Sequence, residues 1–445
     1  MIKKHLTKHS LLILVIIAII VRIVLFLNCE IITAGDTNNY LELATYLKNM
    51  NLNDYSGLRP PGYPLIILLA GFKFKAIVLI QLLMGVLISV CLFKIVEKLT
   101  SNSLLALVGG LSYSLYLPFI SYEFYIVTET TSIFFTTCSM LFLLNYTYNR
   151  NILSVILTGV TSSLAVLTKP ELLVFLFLIS LFLGYYIAIW KKNDNFLKKL
   201  VHYFVFLVPI LFLIGSWTNI IHGISGKYQM STLPGLMLFQ KADYVCSDKM
   251  PDKSFEYPQY EILYKLYSNK KNEFEKIGKD PILAIWNQSL TNDMIEYSGL
   301  TRIQISSILG EVGKKVIKNN LSIYLQKSFI TFIDIWRLPL RAAVITNSMV
   351  LNIYKYVIGL FYMLFMFVFI FYFLIKYFRI KFWANIFTGR SVTQYFMNLV
   401  FFIVFFTSIS VSLLVAGLEG ARRNMFIEPL IIVLGICIIY SWKKS

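Results

Sequence analysis

Apolar runs long enough to cross a bilayer recur from one end of this chain to the other, and no other feature limits its possible folds as strongly. A helical span takes ~20 residues, with a range of ~17–25. Such runs lie near 11–28, 77–96, 103–120, 126–147, 152–168, 172–190, 200–221, 351–375, 396–416 and 426–442. In lipid every backbone polar group must be satisfied within its own segment, so these runs read as helices. The expected fold is an all-α integral membrane protein with about ten transmembrane helices. The piece Leu65–Phe72 is too short to span and reads as interfacial or re-entrant. Composition agrees, with 57% hydrophobic and 14% charged residues, against ~45–50% and ~25% in an average soluble domain. So few charges could not cover a water-facing surface. The start, Met1–His9 followed by Leu11–Leu27, has the form of a secretory signal. No small-residue cleavage site follows it, so it is read as a retained first span.

The net charge of +18 would suit a nucleic-acid partner, but the cations flank apolar runs and follow the positive-inside bias instead. With the amino terminus placed in the cytoplasm, sixteen Lys and Arg fall at inner ends, from Lys3 to Lys444. Seven fall in outer short loops: Lys48, Arg59, Lys73, Lys75, Lys169, Arg422 and Arg423. An even number of spans then returns the carboxy terminus to the cytoplasm. The polar stretch 222–350 interrupts the spans and keeps helical apolar spacing, as in Ile305, Ile308, Leu309, Val312 and Val316. It reads as a mostly helical external domain between a transmembrane region, 1–221, and carboxy-terminal transmembrane helices, 351–445. Three of the five cysteines lie in apolar runs. Neither a disulfide framework nor a metal-ligand spacing is read from them.

The residues that can carry chemistry cluster in the outer loops. Asp36 follows the first span in Ala34-Gly35-Asp36-Thr37. It is a carboxylate at the membrane surface, able to accept a proton from an acceptor hydroxyl. Its ordinary alternative is to cap the helix that starts at Thr37. Arg59-Pro60-Pro61-Gly62-Tyr63-Pro64 follows. Two prolines stiffen the backbone and Gly62 permits a tight bend, which aims Arg59 at a fixed point. Its forked donors match phosphate oxygens; the alternative is a snorkelling side chain. Glu123 lies in the next outer loop. Glu129 stands three residues into an apolar run, where an ionisable group is costly and faces a site or a partner; the alternative is charge complementing a helix amino terminus. Lys169-Pro170-Glu171 and Arg422-Arg423 put further cations at the outer surface, against the bias. A lipid-phosphate site explains them, as does contact with anionic headgroups. Arg22, inside the first span, receives no functional role.

In this order and on this topology, Asp36, Arg59-Pro60-Pro61-Gly62-Tyr63-Pro64, Thr128-Glu129 and Lys169-Pro170-Glu171 resemble the GT-C superfamily of multi-spanning glycosyltransferases. The branch resembled holds protein O-mannosyltransferases and the lipid A aminoarabinose transferase. The likeness is clearest over 30–220. It implies transfer of a sugar from a polyprenyl-phosphate donor to a cell-surface acceptor on the outer face, with inversion. By matching position, Asp36 would be the catalytic carboxylate and Glu129 the second acid. Arg59 and Lys169 would lie near the donor phosphate, and Arg422 and Arg423 are candidates for the same role. Glu123 and Tyr63 are further candidates. Many relatives carry Asp-Glu in the first loop, whereas Thr37 follows Asp36 here, so the part of a divalent metal is left open. No other cofactor is implied. The expected partners are the lipid-linked donor, membrane lipids and a glycan, lipid or protein acceptor. The competing class is a polytopic transporter or a flippase for lipid-linked glycans, which predicts internal repeats or paired broken helices; neither is visible in the sequence.

Overall fold

The computed structural model describes residues 2–52, 55–190, 196–254, 256–335, 392–414 and 428–442. Seventeen α-helices run through them. The first group is α1 (Ile2–Asn28), α2 (Thr37–Lys48), α3 (Gly62–Leu69), α4 (Phe74–Thr100), α5 (Ser103–Leu115), α6 (Leu117–Tyr122), α7 (Glu129–Asn149), α8 (Ile152–Thr168), α9 (Leu173–Trp190) and α10 (Phe196–Ser225). Then come α11 (Pro234–Cys246), α12 (Tyr260–Lys276), α13 (Gln288–Ser298), α14 (Arg302–Asn319) and α15 (Leu321–Ile335). The chain closes with α16 (Val392–Leu414) and α17 (Glu428–Trp442). No strand occurs among the described residues; Ile32 and Tyr125 form an isolated parallel bridge.

Five of these helices contain stretches long and apolar enough to cross a membrane: His9–Asn28, Phe74–Thr100, Pro170–Ala188, Phe196–Ser225 and Tyr395–Leu414. α5, α8, α15 and α17 are apolar over shorter lengths. The apolar run at 351–375 lies outside the described residues. Two other runs differ from the expected single spans. The run at 103–120 breaks after Leu115, because Tyr116 is extended and Pro118 opens a new short helix. Proline fits a first helical turn and not an interior. The run at 126–147 becomes helical only at Glu129. Its first residues are drawn off as irregular chain that bonds to the loop after α1.

α4 is the hub, packed against α1, α5 and α7, and α7 packs in turn on α8. α7 is long but rich in hydroxyls, and they face protein rather than lipid. Thr130, Thr131, Ser132, Thr136, Thr137 and Ser139 are all buried. Several satisfy themselves on carbonyls of their own helix, as Ser132 does on Glu129 O at 2.8 Å and Thr136 on Ser132 O at 2.9 Å. Ser139 bonds Ser162 of α8 at 2.6 Å. Without water, such internal pairing is what keeps a polar helix tolerable in a bundle.

α11–α14 build a second apolar core around residues such as Phe239, Tyr267, Leu290 and Leu309. α11 and α14 meet backbone to backbone: a Cβ on Gly310 would lie 2.6 Å from Gly235 Cα, and one on Gly313 would lie 2.8 Å from Phe239 Cα. This core is fastened to the bundle at the end of α16. Buried Lys241 donates to Ser412 O at 2.9 Å and Tyr324 to Leu413 O at 2.8 Å, which satisfies carbonyls that a helix end otherwise leaves open.

Candidate active site

The loop after α1 is fixed before it reaches Asp36. Ile32 N–H donates to Phe124 O and Ile126 N–H to Ile32 O, both at 3.0 Å. Buried Thr37 then donates through its hydroxyl to Ile126 O and accepts from Ala34 N, both at 2.9 Å. Asp36 therefore stands at the mouth of α2. Its backbone is helical and its side chain makes no capping bond. The carboxylate turns instead to Arg59, whose Nη2 donates to Oδ1 at 2.6 Å. The Asp36 side chain keeps 35% of its surface exposed while Arg59 keeps 16%, so the carboxylate can still be reached from solvent.

Arg59 is held at both ends. The Tyr55 hydroxyl accepts from its N–H at 2.5 Å and donates to its carbonyl at 2.6 Å. The preceding chain is tied to the second core, where Thr232 N–H donates to Gly57 O at 2.8 Å and its hydroxyl to Ser56 O at 2.9 Å. Gly57 has φ +71°, a conformation that favours glycine. The Arg59 guanidinium lies 5.1 Å over the Tyr40 ring, within cation–π range. Burial works against this cation. Facing Tyr40, Asp36 and Glu171 more than offset that, so its pKa lies above the ordinary arginine value. Arg59 Nε is buried and has no hydrogen-bond partner among the described residues.

Gly62 serves a purpose other than the expected bend. It is the first residue of α3, and a Cβ there would lie 2.6 Å from Thr168 Oγ1 and 2.7 Å from Leu167 O. Its bare backbone lets the proline turn rest on the end of α8, next to Lys169. Tyr63 is buried edge-on to Tyr40, ring centroids 5.1 Å apart, and donates to Gln81 Oε1 at 2.9 Å. Burial, and then Tyr40 and Glu129, push its hydroxyl pKa up.

Glu129 opens α7, and Lys169 Nζ lies 3.8 Å from its Oε1, with both side chains buried. That separation is an ion pair and too long for a hydrogen bond. Two acid–cation pairs, Asp36–Arg59 and Glu129–Lys169, thus flank Tyr40 and Tyr63. Glu123 is not with them, since both its oxygens go to Arg22. Arg422 and Arg423 lie outside the described residues. Among the described residues no three His, Cys, Asp or Glu side chains gather as a metal site. Tyr40, Tyr55 and Glu171 were not among the residues singled out from the sequence, although Tyr40 and Glu171 stand next to or inside its motifs. Nor was Arg302, the first residue of α14, whose pKa burial lowers and which feels Glu42, Arg59 and Tyr55. Nothing local in the sequence marks that approach.

The family described as dolichyl-phosphate-mannose-protein mannosyltransferase matches this chain over residues 69–220. No curated protein sequence matches it. Among solved structures, the archaeal oligosaccharyltransferase AglB from Archaeoglobus fulgidus, in complex with an inhibitory peptide and a dolichol-phosphate, superposes with a TM-score of 0.50 at 12% identity. The match covers 99% of this chain and 51% of AglB, so the chain spans about half the length of that enzyme. ArnT from Cupriavidus metallidurans in the apo state gives a TM-score of 0.38 at 13% identity, over 95% of this chain and 76% of ArnT. The same protein bound to undecaprenyl phosphate gives 0.38 at 11% identity, over 97% and 77%. The chain is a multi-pass membrane protein whose helical fold is like that of AglB. Its residues 69–220 carry the mannosyltransferase family's pattern.

Proposed function

We propose that this protein is an inverting glycosyltransferase that moves a sugar from a polyprenyl-phosphate donor to an acceptor on the outer face of the cell membrane. The Asp36–Arg59 pair carries the reading. A reachable carboxylate stands against a guanidinium that is locked in place and still has an unused donor. The family match over 69–220 supports the donor class.

The chemistry derives from these groups. The acceptor hydroxyl gives its proton to Asp36 as its oxygen attacks the anomeric carbon. The new bond forms opposite the breaking bond to the phosphate oxygen, and the lipid phosphate leaves with the bonding electrons. Charge growing on that phosphate is met by Arg59 and Lys169, fixed donors that need no reorganisation. Arg422 and Arg423 are assigned to the same phosphate, and Glu129 holds Lys169. The second core of α11–α14 lies on the outer side in this reading, and both termini are cytoplasmic, in keeping with the charge asymmetry of the loops.

The test has two arms. Cells with and without the protein are compared by mass spectrometry of surface glycans, and loss of one sugar from one class of glycan is expected. Identical glycans would overturn the proposal. In a Cys29→Ser background, a membrane-impermeant thiol reagent should label Lys253→Cys in intact cells and Asn149→Cys only after permeabilisation. The reverse pattern would move the site to the inner face.

A further inference from the structure

The glycosyltransferase mechanism leaves Arg22 and Glu123 unused, yet they form the most completely buried ion pair among the described residues, at 3% and 0% exposure. Arg22 Nε donates to Glu123 Oε2 at 2.9 Å and Nη2 to Oε1 at 2.6 Å. Nη1 donates to Ala18 O at 3.2 Å and to Ser114 Oγ at 3.4 Å. The fork is therefore bidentate, the geometry that fixes orientation as well as charge. Room for it is cut into α4: a Cβ on Gly85 would overlap both Glu123 Oε1 and Arg22 Nη2. A snorkelling arginine needs no such notch.

The chain immediately after Glu123 gives the pair its use. Gln81 Nε2 donates to Glu123 O at 2.8 Å and to Tyr125 O at 2.9 Å, while its Oε1 accepts from Tyr63. Phe124 O and Ile126 N hold Ile32, and Ile126 O holds Thr37, the neighbour of Asp36. Three residues beyond Ile126 is Glu129. The short segment 123–129 thus carries one acid covalently and fixes the other through Thr37, and its first residue is clamped to α1 inside the bundle.

We propose that Arg22 and Glu123 are positioning residues, a pin that sets segment 123–129 so that Asp36 and Glu129 keep their placement. The proposal rests on the glycosyltransferase reading for its kinetic consequence and not for its structural one. Removing one partner leaves a charge unpaired in a dry bundle, so single variants lose folded yield and do not separate the roles. The double variant R22M/E123M removes both charges at similar length, and E123D keeps the charge but shortens the arm.

Two readouts are taken on the purified full-length protein. One is amide exchange in peptides covering 29–37 and 123–129. The other is turnover of radiolabelled polyprenyl-phosphate sugars extracted from host membranes. The double variant is expected to melt within a few degrees of wild type, to lose protection in those two peptides alone, and to fall ~10–10²-fold in kcat with donor KM nearly unchanged, since a misplacement of ~1 Å costs about that much. E123D should shift the same two readouts in the same direction. Wild-type protection and wild-type kcat in a folded double variant would overturn the proposal. If the double variant does not fold, the same result in E123D would overturn it. A wild-type protein that turns over no donor would defeat the function while the exchange data still decide the pin.

Discussion

Replacing Asp36 with asparagine should abolish sugar transfer and leave the protein folded and inserted. The two parts of this expectation have separate causes. Asparagine is nearly isosteric but accepts no proton at neutral pH, and a general base contributes ~10²–10⁴-fold. Stability should hardly move. Asp36 makes no capping bond to α2, so none is lost. Asparagine keeps an Oδ1 that can accept from Arg59 Nη2, so only the charge part of a pair about a third exposed on the carboxylate side is lost, on the order of 1 kcal/mol after screening. The measurement is transfer rate against yield and melting temperature of Asp36→Asn beside wild type. An active Asp36→Asn protein would remove the carboxylate from the chemistry.

Arg59→Ala should be nearly as damaging, by way of the donor. A fixed donor to a developing oxyanion is worth ~10²–10³-fold, and alanine removes it along with the partner of Asp36. Arg59→Lys should retain part of the rate, because a point charge survives while the fork is lost. The backbone of residue 59 is held by Tyr55 and not by its own side chain. The loop therefore keeps its path in both variants, and the loss is chemical. The check is kcat and donor KM for all three proteins. Equal donor kinetics in alanine, lysine and wild type would return Arg59 to an ordinary interfacial cation.

The local parts of this architecture were legible in the sequence. The helix starting at Thr37, the short apolar piece after Pro64 and most long helices arise from runs and breakers that act within a few residues. The joining of distant segments was not legible. Arg22 and Glu123 are 101 residues apart, and neither one alone signals the other. A lone glutamate in an outer loop therefore read as a site candidate, and an arginine in a span had no role. Gly62 was legible as special, but a sequence shows only conformational freedom. The need for a missing Cβ against Leu167 and Thr168 belongs to packing. The run at 103–120 misled because hydropathy does not register that Pro118 restarts a helix. In the candidate site, the acids and cations stood out as charges next to lipid. Tyr40 and Tyr55 did not, since tyrosine is at home at a membrane interface and only its distance to Arg59 gives it meaning.

In the proposed reaction the carbon–oxygen bond between sugar and lipid phosphate breaks at the Asp36–Arg59 pair, with inversion. The most direct measurement gives purified protein in lipid vesicles the radiolabelled polyprenyl-phosphate sugars of the host membrane together with a host envelope acceptor fraction. Released polyprenyl phosphate and the anomeric configuration of the transferred sugar are then followed. Free polyprenyl phosphate should appear in step with labelled acceptor, the product anomer should be opposite to the donor's, and Asp36→Asn should show neither. Donor that crosses the bilayer with its sugar still attached would contradict this reaction and make the protein a flippase.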